Sequence, residues 1–272
     1  MRAPAKGTAF FLALLLLPVP AAAEGLALYK AVYALKLVAA APGSAVTGAG
    51  GEMYYEQDDA CDGWTTEQRL ATRYDYAGGR SALDTARYAA FESKDGGDFS
   101  FNAEQEENGR EDMHISGSVA RGKNGAATAL YTRPDGARRA LPAGYFLPMA
   151  HTRALLRHAE AGDRFFDAVL FDGTDEAGPV EASAFIGEKE TAVERKETAG
   201  KYIDAKLLAP DAWHVRLAVF PLNDRWKSTP AYELAMILHA NGVVSHAVVH
   251  YKNFAVEQRL IALQPLPASR CR

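Results

Sequence analysis

Two pairs of histidines come closest to the spacing of a metal site. His246 and His250 are four residues apart, a spacing that on a helix would bring two imidazoles to one zinc ion. They lie in a run predicted to be a strand, where four residues span about 13 Å, too far for shared ligation. His151 and His158 lie two turns apart on one face of a predicted helix and would need a third ligand between them. We therefore predict no metal site.

The other three histidines also lack a partner in the sequence. The hairpin predicted near the C-terminus pairs His239 with Val244 rather than with His246. His114 and His214 have no evident companion. Isolated histidines in strands are most simply solvent-facing sheet residues.

Motifs of nucleophilic and nucleotide-dependent enzymes are missing from the chain. There is no G-x-S-x-G elbow, no S-x-x-K with its accompanying motifs, no G-x-G-x-x-G and no P-loop sequence. An acidic cluster surrounds one predicted turn and consists of Glu104, Glu106, Glu107, Glu111 and Asp112. Glycosidases place two carboxylates across a cleft, whereas a charge run beside a turn is typical of a solvated face. The sequence predicts a protein that is not an enzyme and carries no cofactor.

The only two cysteines are Cys61 and Cys271, 210 residues apart. In an exported protein two remaining thiols usually pair with each other. Such a bond would close almost the whole chain and stabilise it by about 5 kcal/mol in the chain-entropy description. A redox-active or metal-binding pair is the alternative, and the absence of CxxC spacing argues against it.

The N-terminus has the layout of a secretory signal. Arg2 and Lys6 precede an apolar run over 9–19, and small residues lead to a cleavage position after Ala23. We expect a signal peptide over 1–23, a single mature domain over 24–272 and a periplasmic location. Loss of two basic residues changes the formal net charge from −4 to −6. An acidic protein without clustered Lys and Arg is not predicted to bind nucleic acid.

Most of the mature chain alternates between apolar and polar residues at the period of a strand. In the first run Tyr29, Ala31 and Tyr33 share one face, with Lys30 on the other. Similar runs are separated by turn signals such as Asn108-Gly109, and Asn241-Gly242 predicts a type I′ hairpin. Further strands are predicted at 53–55, 69–76, 87–92, 99–104, 113–119, 128–131, 164–171, 180–186, 193–198, 202–207, 213–221, 234–239, 244–251 and 254–263.

One segment has helical rather than strand periodicity. Leu155, Leu156 and Ala159 recur at helical spacing, Pro148 stands at the start and Gly162 at the end. This predicts one helix over 149–161. Together with about fourteen strands it gives a mainly β fold, a single large antiparallel sheet rolled into an open barrel or β-spiral.

Arg138/Arg139 and Arg121/Lys123 are predicted to be solvated turns.

Several elements resemble a family of alphaproteobacterial cell-envelope integrity proteins, the EipB family. The most specific are Cys61-Asp62-Gly63-Trp64 and Phe171-Asp172-Gly173; others are Leu147-Pro148 with His151-Thr152, Asn241-Gly242-Val243 and the C-terminal cysteine. The resemblance implies a β-spiral with a Cys61–Cys271 disulfide. It also implies a periplasmic, non-enzymatic role in envelope integrity, with a helical-repeat (TPR) protein as a partner, and it supplies no catalytic residues.

Two functions remain open at this point. The protein could be a docking or scaffold module that binds another periplasmic envelope protein on its concave face or a sheet edge. Alternatively, it could carry an apolar envelope ligand, a lipid or a lipoprotein acyl chain, in a half-barrel pocket. A deep apolar groove would favour the carrier, and a shallow mixed surface would favour the docking module.

Overall fold

The structure, a computed structural model, describes residues 25–121, 126–190, 200–222, 229–268 and 271. The predicted signal peptide at 1–23 and the predicted strand at 193–198 lie outside these residues. The strands are β1 (Tyr29–Ala40), β2 (Val46–Asp59), β3 (Gly63–Tyr76), β4 (Ser81–Ser93), β5 (Phe99–Glu107), β6 (Arg110–Arg121), β7 (Ala127–Arg133), β8 (Arg138–Leu141), β9 (Phe165–Leu170), β10 (Val180–Glu190), β11 (Ala212–Pro221), β12 (Tyr232–His239), β13 (Val244–His250) and β14 (Phe254–Pro265). Helix α1 spans Pro148–Ala161, and a 3₁₀ helix spans Ala205–Leu208.

All fourteen strands belong to one antiparallel sheet, in the order β8-β7-β6-β5-β4-β3-β2-β1-β14-β13-β12-β11-β10-β9. The chain therefore builds two meanders, β1 to β8 and β9 to β14, joined where β1 pairs with β14. The prediction of a mainly β fold with one unclosed antiparallel sheet and one α-helix is confirmed. Among the described residues, no helix combines the length and hydropathy needed to cross a bilayer.

The sheet buries one face along its length. In β1 the side chains of Tyr29, Ala31, Tyr33 and Leu35 are buried, and the residues between them are half-buried. This is the alternation seen in the sequence, and it arises because successive strand residues point to opposite faces. The buried faces form three apolar clusters, centred on α1 with β9–β12, on β5–β7, and on β1 with β14.

The two edge strands, β8 and β9, are brought together by the segment between β8 and α1. The backbone N–H of Phe146 donates to the carbonyl of Val169 at 2.8 Å, and that of Phe171 donates to the carbonyl of Phe146 at 2.9 Å. Phe146 thereby forms a parallel bridge with Leu170 on the free edge of β9. This seam holds the roll nearly shut without a ladder between β8 and β9.

Helix α1 begins and ends at the predicted signals. Pro148 occupies the first turn, where its missing N–H would have no intrahelical acceptor. Gly162 has φ +84° and donates its N–H to the carbonyl of Ala159, and Asp163 donates to that of His158. A left-handed residue here favours glycine, since a Cβ is strained in this conformation. The helix buries Leu155 and Leu156 against the inner face of β9–β12.

Three local predictions were wrong. The turn at Asn241-Gly242 is not type I′: among the described non-glycine residues only Cys61 and Asn108 have a positive φ, so the hairpin takes a three-residue loop ending in Gly242. The type I′ residues are instead Asn108 and Gly109, both with a positive φ. Residues 202–207 form turns and the 3₁₀ helix rather than a strand, and Arg138 and Arg139 form strand β8 rather than a turn. Arg121, also predicted to lie in a turn, is the last residue of β6, and Lys123 lies outside the described residues.

Candidate functional site

Two adjoining cavities lie inside the roll. The large cavity, about 630 Å³, is lined by residues of β2–β6, the first turn of α1, the segment after β9, and two tyrosines of the second meander. The small cavity, about 290 Å³, lies between β1–β3, α1 and β11–β14. Four residues line both cavities: Tyr55, Gln68, Met149 and Thr152. Strands such as β3 and β12 are far apart in the sheet order, so they line one cavity only because the sheet curls round on itself.

The two cavities differ in chemistry. Half of the residues that line the small cavity have apolar side chains, namely Met53, Met149, Leu155, Leu217, Leu234, Met236, Leu238, Val244 and Ala247. Its polar lining residues are tyrosines, glutamines, Thr152 and His151, and none of the residues that line it is Asp, Glu, Lys or Arg. The wall of the large cavity includes the carboxyl groups of Glu92 and Asp172. Arg87 and Glu104 also border it, but they alternate with the inward-facing residues of β4 and β5 and carry their side chains on the outer face of the sheet. The interior therefore combines an uncharged apolar end with a polar end.

His151 is the buried polar group of the small cavity. The helix places it one turn before Leu155, and its side chain is 5% exposed. The imidazole packs against Phe166, with ring centroids 5.4 Å apart, and contacts the edge of Phe146. Its Nε2 atom has no hydrogen-bond partner among the described residues. Burial lowers the pKa of His151 to about 4, so the ring is neutral at neutral pH.

Glu92, at the end of β4, joins the wall of the large cavity to the helix. The side chain is 3% exposed. Its Oε2 accepts the backbone N–H of Met149 at 2.8 Å, and its Oε1 accepts that of Ala150 at 2.9 Å. Burial raises the pKa of the Glu92 carboxyl to about 7, although these two N–H donors and Arg153 act in the opposite direction. Glu92 thus supplies the N-terminal cap that the sequence of α1 itself lacks.

The Phe171-Asp172-Gly173 segment packs beside the large cavity. Phe171 is fully buried and meets Phe99 and Phe101 edge to face. The carbonyl of Asp172 accepts the hydroxyl of Tyr88 at 2.7 Å, and burial raises the pKa of its carboxyl. Gly173 has φ +73°, and a Cβ there would lie 2.2 Å from Phe101. These three residues hold the chain after β9 against β4 and β5, so their evident role is structural.

The cysteines lie at the rim of the roll. Their sulfur atoms are bonded, 2.11 Å apart, which ties the loop between β2 and β3 to the C-terminus. Lys94 holds this loop, because its Nζ donates to the carbonyl of Cys61 at 2.7 Å and to Asp59 at 2.8 Å. Trp64, which lines the large cavity, has Lys94 and Arg153 over its ring. The disulfide therefore lies one side chain away from the cavity wall.

The structure separates the histidines considered in the sequence. His246 and His250 are both on β13, and His246 contacts Glu257 of β14 with a 3.0 Å hydrogen bond. His239 is not opposite Val244; Leu238 is. His239 is also 1% exposed rather than solvent-facing, with its Nε2 2.9 Å from Ser245 Oγ. Within the described part of the chain, no group of three His, Cys, Asp or Glu side chains could hold a metal ion.

The expectation that His114 and His214 lack companions was wrong. His114 contacts Asn102 at 3.0 Å and lies 3.6 Å from Glu104. His214 contacts Glu190. Cross-strand neighbours of this kind depend on register, which the sequence does not show. Of the five acidic residues around the β5–β6 turn, Glu104 alone lines a cavity.

Sequence reasoning missed Glu92 and the isolation of His151. One signal for Glu92 was present, because it stands on the same strand face as Tyr88 and Ala90. A carboxylate on an apolar face needs a partner. No signal marked His151, since the fate of its Nε2 depends on strands far away in the sequence.

Known proteins resemble this chain in both sequence and fold. The model of a family described as EipB-like matches residues 20–267. The chain is 28% identical over 221 residues to the cell envelope integrity protein EipB of Brucella abortus (strain 2308), covering 81% of this chain and 77% of that protein. It also resembles the crystal structure of a β-barrel-like protein of a domain of unknown function from Brucella abortus, with a TM-score of 0.81 and 25% identity. That comparison covers 89% of this chain and 99% of the solved chain.

Proposed function

The chain belongs to the EipB-like family, and from this membership we propose that it supports the integrity of the cell envelope by holding an amphiphile, an acyl chain with a polar end, inside its roll. It does so in the periplasm, after export and cleavage behind Ala23. Its role is to bind and not to catalyse a reaction.

The observation that carries this proposal is the pairing of the two cavities. Ligand sites of proteins are mostly apolar, with a few convergent polar groups and volumes of about 300–1,000 Å³. The large cavity falls in this range and the small cavity lies at its lower end. The wall of the small cavity has no formal charge. Moving a hydrocarbon chain from water into this cavity would therefore lower the free energy. The polar end of the same molecule would meet the carboxyls of Glu92 and Asp172 and the tyrosine and glutamine side chains that line the large cavity.

The lining of the small cavity also suits a flexible chain. Met53, Met149 and Met236 contribute three unbranched thioether side chains to it. Methionine adapts its rotamers to irregular partners. A disordered hydrocarbon chain is such a partner, because it needs apolar contact along its length and no fixed donors or acceptors.

The experiment uses two matched tryptophan substitutions on α1. Thr152 lines both cavities, and Thr152→Trp would fill the place where they meet. Glu160 is exposed on the same helix, so Glu160→Trp is the control. The readouts are native mass spectrometry of protein purified without detergent and binding of N-phenylnaphthylamine, a neutral fluorescent amphiphile.

We expect the wild-type protein and Glu160→Trp to carry an amphiphile and bind the probe, and Thr152→Trp to do neither. In cells lacking the gene, Glu160→Trp should restore resistance to detergent and Thr152→Trp should not. A clean unliganded mass together with no probe binding by the wild type would rule the proposal out.

A second candidate function is docking of a periplasmic envelope protein, such as a helical-repeat (TPR) protein. It is favoured by an aromatic pair on the outer face of the sheet, Phe165 on the edge strand β9 and Phe185 on β10. They are 70% and 43% exposed, and their ring centroids are 5.5 Å apart. Crosslinking in the periplasm tests it: a specific partner should be captured by the wild type and lost from a Phe165→Ser/Phe185→Ser variant. Capture of the same partner by both would exclude this surface.

A further inference from the structure

One histidine that lines the small cavity has a buried ring nitrogen without a hydrogen-bond partner in the described part of the chain. His151 is buried between Phe146, Phe166 and the cavity, and its Nε2 has no partner among the described residues. A buried polar atom without a hydrogen bond loses its hydration and gains nothing in return. The two aromatic contacts of the ring would be kept by a phenylalanine, so packing does not explain a histidine at this position.

The second histidine of the helix shows the contrast. His158 also stacks on Phe166, with ring centroids 4.5 Å apart, but its Nδ1 lies 2.7 Å from Asp163 Oδ2 and its side chain reaches solvent. It lines neither cavity. Of the two, only the histidine that lines the small cavity has a buried ring nitrogen without a partner among the described residues. This Nε2 atom has less than 1 Å² of accessible surface, so the imidazole must turn towards the cavity before a ligand can pair with it.

The charge of this environment limits what that partner can be. Burial lowers the pKa of His151 to about 4, so at neutral pH the ring carries no charge. None of the residues that line the small cavity is ionisable as Asp, Glu, Lys or Arg. Across the start of the helix, both oxygens of Glu92 are occupied by backbone donors. An ionised carboxylate placed here would be desolvated without a counter-charge, at a large cost in free energy.

A neutral imidazole can either donate or accept at Nε2, according to its tautomer. An ester carbonyl or an amide carbonyl would accept from it, and a hydroxyl could do both. Each of these groups occurs where an acyl chain is joined to a glycerol or to a protein, and none carries a charge.

We propose that His151 Nε2 is the hydrogen-bonding anchor for the uncharged linkage of an acyl chain, so that the protein selects esterified or amide-linked chains over free fatty acids. This inference rests on the proposed function and names the ligand class of the same site. The ligand is bound through its linkage rather than through an ionised end.

The test compares ligands that differ only in that linkage. A long-chain fatty acid methyl ester, the corresponding free fatty acid and the hydrocarbon of matched length compete with bound N-phenylnaphthylamine. The proteins are the wild type, His151→Phe, His151→Gln, which keeps a neutral hydrogen-bonding group, and the control His158→Phe. Circular dichroism and thermal melting show which variants fold.

We expect the wild type to bind the ester about tenfold more tightly than the hydrocarbon, the gain from about one net hydrogen bond, and to discriminate against the free acid. His151→Phe should bind the hydrocarbon as the wild type does and lose the preference for the ester. His151→Gln should retain part of that preference, and His158→Phe all of it. If His151→Phe does not fold, a wild-type protein that binds the free acid as tightly as the ester would still overturn the proposal.

The outcomes separate the two proposals. If the wild type binds neither probe nor hydrocarbon, both are wrong. If it binds hydrocarbon and ester equally, or if His151→Phe keeps the ester preference, only the anchor is wrong. A final comparison of a diacyl phospholipid with a diacylated lipopeptide as competitors decides which source of esterified chain the protein takes.

Discussion

The carboxylate of Glu92 accepts a hydrogen bond from the backbone N–H of Met149 at 2.8 Å, across a sequence separation of 57 residues. Its second oxygen does the same for Ala150. The first turn of a helix exposes N–H groups without intrahelical acceptors, and in α1 a strand of the opposite wall satisfies two of them. This contact ties β4 to the helix that lines both cavities, so the position of α1 depends on the state of one buried carboxyl.

The buried carboxyl gives folding stability a pH dependence. Its pKa is about 7 in the folded protein against a reference value of 4.5. The folded state therefore holds the proton more tightly, so this contribution is fully present below pH 4.5 and is lost as the pH rises through 7. Glu92→Gln, which mimics the protonated form, should match the wild type at low pH. At about pH 8 it should be more stable by roughly 3 kcal/mol.

Urea unfolding at a series of pH values measures this difference, with Glu160→Gln as the control, because Glu160 is exposed on the same helix. The control should follow the wild-type curve. Parallel curves for the wild type and Glu92→Gln would mean that Glu92 titrates alike in the folded and unfolded chains.

Gly173 should be far less tolerant of a side chain than other glycines with a positive φ. A Cβ at Gly173 would meet the ring of Phe101 at 2.2 Å, whereas one at Gly144, with φ +80°, would meet nothing within 4 Å. Gly173→Ala should cost about 2–4 kcal/mol, the sum of backbone strain and overpacking, and Gly144→Ala about 1 kcal/mol from strain alone. Equal losses in thermal unfolding would show that the Phe101 ring moves aside freely.

The disulfide should stabilise the roll from its rim. Cys61→Ser and Cys271→Ser should each lower the midpoint of thermal unfolding in oxidising buffer, by an amount corresponding to at most about 5 kcal/mol for a loop of this length. The double variant should lose no more than either single variant, since each change removes the same bond. Losses that add would mean that the two thiols are not partners in solution.

The fold was predictable because its causes are local. The alternation of Tyr29, Ala31 and Tyr33 fixes which face of β1 is buried, and Pro148 and Gly162 fix the ends of the helix. Neither depends on a distant residue. The errors arose where a local signal was ambiguous, as at Asn241-Gly242, which can close a two-residue or a three-residue loop according to the strand register.

The site was not predictable for the same reason. The cavities exist only after strands of both meanders curl towards each other, and the pairing of Glu92 with α1 and the isolation of His151 follow from that curvature. A pattern along one strand shows which side chains point inward. It does not show what they meet there.

The chain should be shortened at its N-terminus on export. Small residues before Glu24 match the requirement of signal peptidase, and cleavage after Ala23 removes the apolar run. Protein isolated from the periplasm should begin at Glu24 by N-terminal sequencing. Ala21→Leu with Ala23→Leu should block processing and leave the precursor at the membrane. An intact N-terminus on the periplasmic protein would contradict the prediction.

The seam at Phe146 should contribute measurably to stability, because it joins the segment after β8 to the free edge of β9. Phe146 packs against Phe166 and His151 as well as bridging Leu170. Phe146→Ala removes the ring and should cost about 2–3 kcal/mol, less than for a fully buried phenylalanine because Phe146 is only half-buried. It should also speed hydrogen exchange at the amide of Phe171, which donates to the Phe146 carbonyl.

Phe165→Ala is the matched control for this seam, since Phe165 lies on the same edge strand with its ring 70% exposed on the outer face. Its effect on unfolding should stay within about 0.5 kcal/mol. Faster exchange at Phe171 in Phe146→Ala, without a change at strands β1 and β14, would place the opening of the roll at the seam. Uniformly faster exchange would instead mean that the sheet unfolds as one unit and that Phe146 has no special part in closing it.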